Sequence, residues 1–309
     1  MLKLRITIVL AVLGVANLWA QDNSKTCSEG KDPDQVISAC TAVIGQGSNT
    51  PSALAAALAS RGKAYSAKND ADHALQDFDK AIGMDPKNVD LYLGKCRVLA
   101  AASRHKDAIP VCSESLRLNP NNAEALRDRG HYFLNLGEVR PALDDLMRAR
   151  QLAPRDRGVY YHLGVAYYLQ GNFAEAAKAY QGCLDNSKPP ETVECIAWLY
   201  PSLVRAGRKQ DAAALLATVK PDPAITGHPG WYLDRLLLFA GARTEEQVAA
   251  NLNAEGALST SSIGYSLGLW HLLNGRTQQA RDYFEKAVAT NFTPAWGYRC
   301  SEAELKRLR

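Results

Sequence analysis

Small and apolar residues return along this chain at a fixed interval of 34 positions. Ala74, Ala108, Ala142 and Ala176 form one row, Gly62, Gly130 and Gly164 stand in register ahead of it, and Pro86, Pro120 and Pro154 keep the same step. Asp85-Pro86, Asn119-Pro120 and Ala153-Pro154 each close one unit before the next begins. The pattern predicts two antiparallel helices per unit. A small residue at Gly62 or Ala74 lets them approach closely, while Tyr65 and Phe78 fill the space between neighbours. A proline after the second helix stops it and starts the next.

Four such units follow one another at 55–88, 89–122, 123–156 and 157–190. The first has Leu58, Gly62, Tyr65, Ala74, Phe78, Ala81 and Pro86 at the periodic places. The second is looser, with Cys96 in the glycine place and Cys112 in the aromatic place. The third and fourth recover Gly130, Phe133 and Ala142, then Gly164, Tyr167, Ala176 and Tyr180. Residues 21–54 read as a capping segment and helix. From 191 to 309 the pattern is degenerate: Gly207 and Ala212 fit a fifth hairpin, and Pro221, Pro223 and Pro229 mark a loop before a helix from Trp231 to Ala240. Thr244 with Gln247 then predicts a capping box, and 261–294 make a good last unit with Gly268, Gly275, Ala280, Phe284 and Ala287.

This period and punctuation resemble the tetratricopeptide repeat (TPR). The resemblance implies an all-α fold, a TPR superhelix of antiparallel helix pairs (an α-solenoid), with the first helix of each pair on a concave, protein-binding face. The carboxyl-terminal part, roughly 193–309, also resembles the NlpI-type TPR lipoproteins of bacterial envelopes. That likeness rests on Trp231, the Phe239-Ala240-Gly241 turn followed by Thr244-Glu245-Glu246-Gln247, Leu267-Gly268, and the stretch from Ala287-Val288-Ala289-Thr290-Asn291 to Ala303-Glu304-Leu305. It implies a periplasmic adaptor that gathers cell-wall hydrolases or a processing protease, often as a homodimer. The lipid-bearing cysteine of that group is absent, because Ser24, Lys25 and Thr26 precede the first cysteine, Cys27.

At the amino end, Lys3 and Arg5 precede an apolar run from Ile6 to Leu18, and the chain turns polar at Gln21. This order predicts a secretory signal peptide over 1–20, cut after Ala20, and hence a periplasmic or secreted protein with no membrane insertion after cleavage. A membrane anchor would need about 20 apolar residues, and this run is shorter and broken by Gly14 and Asn17. Without Lys3 and Arg5 the chain has 34 basic residues against 32 acidic ones, with no basic run. Nucleic acid is therefore not an expected partner.

Six of the seven cysteines fall into sequence neighbours across turns: Cys27 with Cys40, Cys96 with Cys112, and Cys183 with Cys195. In an exported chain this spacing favours sequential disulfides. The competing reading makes Cys96 and Cys112 small buried residues in the glycine and aromatic places. Cys300 is left over. No CxxC occurs and no histidine lies at ligand spacing from a cysteine pair, so neither a metal nor any other cofactor is expected.

Gly264-Tyr265-Ser266-Leu267-Gly268 matches the G-x-S-x-G nucleophile elbow of serine hydrolases. That motif needs a strand ending in a sharp turn, whereas the repeat register puts Ser266 inside a helix with Gly268 as a close-packing residue. The six histidines are dispersed, without H-E-x-x-H, and most are expected at surfaces or turns; Gly45-Gln46-Gly47 lacks the rest of a nucleotide fingerprint.

Groove positions in the TPR resemblance recur at steps of 34, which gives Lys63, Arg97, His131 and Val165. Arg127 lies one turn before His131, and Tyr161 and Tyr168 add aromatic surface. Such a groove suits a peptide carrying carboxylates, although Asp90 and Glu124 on the same face offer the cations internal partners instead. The function expected is a non-catalytic protein-protein interaction scaffold binding peptide segments of envelope proteins. The alternative is a structural subunit with one permanent partner, and a serine hydrolase using Ser266 comes third.

Overall fold

The computed structural model describes residues 22–46 and 50–309, without the side chains of His228 and Pro229. The signal-peptide reading and Gly47 thus lie outside the described residues. Among those residues all regular structure is helical, and none of the helices is long and apolar enough to cross a membrane. The chain divides into two compact units, one ending at Ala125 and the other running from Leu126 to Arg309.

In the first unit a helical stretch over 22–29 leads into α1 (Pro33–Gly45), then α2 (Pro51–Ala67), α3 (Ala71–Met84), α4 (Val89–Ala101) and α5 (His105–Leu118). The starts of α2, α3 and α4 each have a side-chain cap. Thr50 Oγ1 accepts from the Ala53 N–H ahead of Pro51 at the first position, Asp70 accepts from His73 N–H, and Asn88 accepts from Asp90 N–H. The α2–α3 pair closes on Phe78, which is fully buried. Its ring occupies the space where side chains on Gly62 and Gly94 would stand: a Cβ on Gly94 would come within 2.4 Å of it. The close-packing role expected of the periodic glycine is thus met from two neighbouring helices.

The second unit begins within α6 (Ala123–Asn135), which spans the division between units. It continues through α7 (Val139–Leu152), α8 (Arg157–Gln170), α9 (Phe173–Asp185), α10 (Thr192–Arg205) and α11 (Lys209–Leu216). After the proline-bearing loop come α12 (Gly227–Phe239), the short α13 (Glu245–Ala249), α14 (Ala257–Leu273), α15 (Thr277–Ala289) and α16 (Trp296–Arg307). Thr244 and Gln247 form the reciprocal capping box at α13. Gly130, Gly164 and Gly268 face Leu146, Tyr180 and Phe284, with a built Cβ meeting each at 2.8, 2.5 and 2.6 Å. The core is rich in rings: Trp198, Tyr168, Tyr180, Tyr265 and Phe284 are all buried, and Trp198 stacks on Tyr180 and on Tyr265.

The turn inside successive pairs has its own 34-residue rhythm. Asn69, Ser103, Gly137 and Gly171 all have φ between 60° and 80°. Glycine accepts that left-handed conformation without cost and asparagine tolerates it, which leaves Ser103 the unusual member.

Candidate functional site

The residues expected on an inner face meet different fates. On α2 and α4, Lys63 and Arg97 are exposed, and Arg97 donates from Nη2 to Glu124 at 2.8 Å. On α6, Arg127 is partly buried and engaged: Nε and Nη2 donate to Asp128 Oδ1, and Nη1 donates to Asp156 Oδ2 at 2.8 Å. Asp156 also caps α8 through the Val159 N–H, so Arg127 braces one repeat turn against the next. The His131 ring stacks on His162 with centroids 4.5 Å apart and lies 5.3 Å from Trp296. Burial first, and then the neighbouring His131, hold His162 well below the usual histidine pKa, so the His162 ring is uncharged at neutral pH.

Tyr161 and Tyr168 require a correction. They were expected to present aromatic surface, yet Tyr161 is 5% exposed and Tyr168 not at all. Tyr161 packs against Tyr180 and Tyr232, and Tyr168 is covered by α16. The Tyr168 hydroxyl donates to Glu304 Oε1 at 3.0 Å, and Arg307 Nη2 donates to the carbonyls of Tyr168 and Leu169 at 2.7 and 2.8 Å. Arg299 Nη2 likewise donates to the Asn135 carbonyl at the end of α6. Glu304 Oε1 also accepts from Arg205 Nη1 and Arg307 Nη1, at 3.0 and 2.8 Å. Within the second unit, the chain's own last helix lies on the ends of α6 and α8. No short-range sequence signal announces this, since the partners are more than a hundred residues apart.

A second set of contacts repeats at 68 residues, twice the basic period. Arg61 clasps Asp77 through Nε and Nη2 at 2.7 and 2.8 Å, and Arg129 clasps Asp145 identically at 2.7 and 2.8 Å. The hydroxyls of Tyr92 and Tyr160 both donate to the carbonyl six residues back, on Pro86 and Pro154, at 3.1 Å. These partly buried, bidentate pairs join the two helices of one hairpin.

Three cysteine pairs form disulfides: Cys27–Cys40, Cys96–Cys112 and Cys183–Cys195, with Cα separations of 4.7, 5.5 and 5.8 Å. The second fastens α4 to α5 and the third fastens α9 to α10. Cys300 is free and wholly buried in α16, and burial, followed by the adjacent Glu304, pushes its thiol pKa far up. Native protein should therefore leave Cys300 unlabelled by a maleimide, and denatured, unreduced protein should take up one label per chain. Rapid labelling of native protein would show that α16 is not held as described.

Ser266 sits mid-way along α14, 4% exposed, with its hydroxyl donating to the Ser262 carbonyl at 2.8 Å. That is helix-interior bonding, and no strand leads into it. Two of the histidines are not peripheral: His105 and His271 are buried, and His271 Nε2 stands 3.0 Å from Glu245 Oε1. The repeated packing rows gave no hint of either.

Helix pairs with these glycine contacts define a helical-repeat protein. Two tetratricopeptide-repeat family models match, one over residues 65–127 and the other over 127–189, so the chain carries tetratricopeptide repeats there. Among curated proteins, it is 38% identical over 90 residues to "DnaJ protein P58IPK homolog B" of Oryza sativa subsp. japonica, covering 28% of this chain and 19% of that one. It is 25% identical over 116 residues to the "Hsp70-Hsp90 organizing protein" of Triticum aestivum, covering 38% and 20%. The chain spans about a fifth of the length of these relatives. Among solved structures, a tetratricopeptide repeat protein from Parabacteroides merdae ATCC 43184 aligns over 93% of this chain and 98% of its own, at 13% identity and a TM-score of 0.56. YrrB, titled a TPR protein with an unusual peptide-binding site, aligns over 67% and 100% at 20% identity and a TM-score of 0.50. At such identities these structures establish the fold. Tetratricopeptide repeats generally mediate protein-protein interactions and are generally non-catalytic.

Proposed function

We propose that the chain is a non-catalytic scaffold of the periplasm or extracellular space that binds acidic peptide segments of envelope proteins through its first unit. The observation that carries this is the pair Lys63 and Arg97. They are exposed at equivalent repeat positions on α2 and α4, the helices that line the binding face in the TPR resemblance. Arg97 pairs with Glu124 at the surface, with 44% and 59% of the two side chains accessible. Such a pair contributes at most about 1 kcal/mol, so an incoming carboxylate can replace Glu124 at little cost. Arg127, by contrast, is committed to Asp128 and Asp156 and serves the fold. Three disulfides fit an oxidising, exported setting. The NlpI-type resemblance of residues 193–309 supports envelope hydrolases or proteases as the clients.

The test is affinity capture from a periplasmic extract with residues 21–309, beside Lys63→Glu/Arg97→Glu, which leaves Arg127 intact. Discrete partners, captured in low salt and lost in the variant at unchanged circular dichroism, are expected. Retention of the same partners by the variant would move binding off this face. A single stoichiometric partner resistant to high salt would favour a permanent assembly subunit instead.

A further inference from the structure

Arg235, on α12, is 1% exposed. Its guanidinium lies among three rings, 4.7 Å from the centroid of Trp198, 5.2 Å from Tyr232 and 5.7 Å from Tyr265. Yet among the described residues no acceptor meets its Nε or its Nη2. Aromatic faces attract the charge but offer no lone pair that satisfies these N–H groups. The same two atoms have a clear use elsewhere in this chain: on Arg61 and Arg129 they form the edge that takes both oxygens of Asp77 and Asp145. Arg235 therefore keeps buried a fork that its two counterparts spend on carboxylates.

Beside it is a cavity of about 200 Å³, whose walls include Arg235, Tyr161, Tyr232, Tyr265 and Trp296. A cavity of about 150 Å³ is enough to admit benzene, so this one has room for one flat ring with a small substituent. Glu194 also lines it, but its carboxylate is already taken by Arg157 Nη2. The tyrosine walls act as neutral hydroxyls: burial pushes the Tyr232 pKa up to about 12.

We propose that this cavity binds a small carboxylate with a flat apolar body, the carboxylate pairing with Arg235 and the body lying among the aromatic walls. The same chemistry is offered by a free aromatic acid and by the aromatic carboxyl-terminal residue of a peptide. The site is independent of Lys63 and Arg97, so it stands whether or not those residues recruit a protein.

Benzoate, its neutral isostere benzamide, and the peptide acetyl-Gly-Gly-Phe with a free or amidated carboxyl end would be titrated into the full disulfide-bonded chain. Tryptophan fluorescence and thermal unfolding are the readouts, since Trp198 adjoins the guanidinium. Benzoate or the free-acid peptide should quench fluorescence and raise the midpoint. The uncharged analogues should bind at least tenfold more weakly, as should either acid to Arg235→Met. Arg235→Lys, which keeps the charge but loses the fork, should also weaken binding if the methionine variant fails to fold. Tighter binding of the peptide assigns the carboxylate to a chain terminus, and tighter binding of benzoate assigns it to a free acid. No response to either acid at millimolar concentration, equal affinity for the amides, or unchanged affinity in both Arg235 variants would overturn the site.

Discussion

Glu304→Ala is expected to destabilise the second unit by about 3 kcal/mol, at the low end of the range for breaking a buried ion pair. The carboxylate is 1% exposed and its Oε1 accepts from Tyr168, Arg205 and Arg307 together. Truncation leaves two cations and a buried hydroxyl without their common acceptor. Arg205 and Arg307 keep 20% and 23% of their side chains accessible, and water there offsets part of the loss. Both also retain the face of Phe173, at 4.1 and 5.3 Å. Glu304→Gln, which preserves an acceptor oxygen in nearly the same volume, should cost clearly less than alanine. Urea unfolding followed by tryptophan fluorescence measures both. Limited proteolysis should show early cleavage near residues 290–296 in the alanine variant as α16 loosens, with Tyr168 newly exposed. A change within about 0.5 kcal/mol, the usual range for surface substitutions, would mean that α16 is held by its apolar contacts alone.

That helix marks where sequence reading stops being sufficient. Positions governed by packing within a repeat were legible: Gly62, Gly164 and Gly268 face Phe78, Tyr180 and Phe284, rings that stand on the periodic places, because contact between two helices of one hairpin is local. The inner-face assignment followed the same period, yet it could not reveal that Tyr168 meets a residue 136 positions later. Periodicity fixes where a side chain points within its hairpin and says nothing of what returns to cover it. The Arg61–Asp77 and Arg129–Asp145 clasps were accessible in principle, since both keep the same spacing and recur two repeats apart. They escaped because Lys95 and Val111 occupy the intervening register and interrupt the row. The left-handed turn residues were obscured similarly, with Asn69 and Ser103 standing where later repeats use Gly137 and Gly171. Arg235 gave no signal, as it lies in the degenerate stretch beyond the four regular repeats.

Phe78→Ala should be the most damaging single truncation in the first unit, at about 3–5 kcal/mol. The ring is fully buried between α2 and α4, with Gly62 and Gly94 shaped around it. Alanine would leave a void that two helix backbones must collapse to fill. The cause can be isolated by pairing it with Gly94→Ala. In the native background the added methyl would gain up to about 1 kcal/mol of helix propensity, but its Cβ would lie 2.4 Å from the Phe78 ring. Overpacking of that kind costs about 1–3 kcal/mol, so the single substitution should destabilise. In the Phe78→Ala background the ring is gone, the methyl enters vacated space and the propensity gain remains, so Gly94→Ala should then be neutral or stabilising. Chemical denaturation of the four proteins in this cycle would measure the coupling. If Gly94→Ala costs the same with and without the ring, contact with Phe78 is not what requires glycine there, and Gly94 would owe its place to helix-helix approach alone.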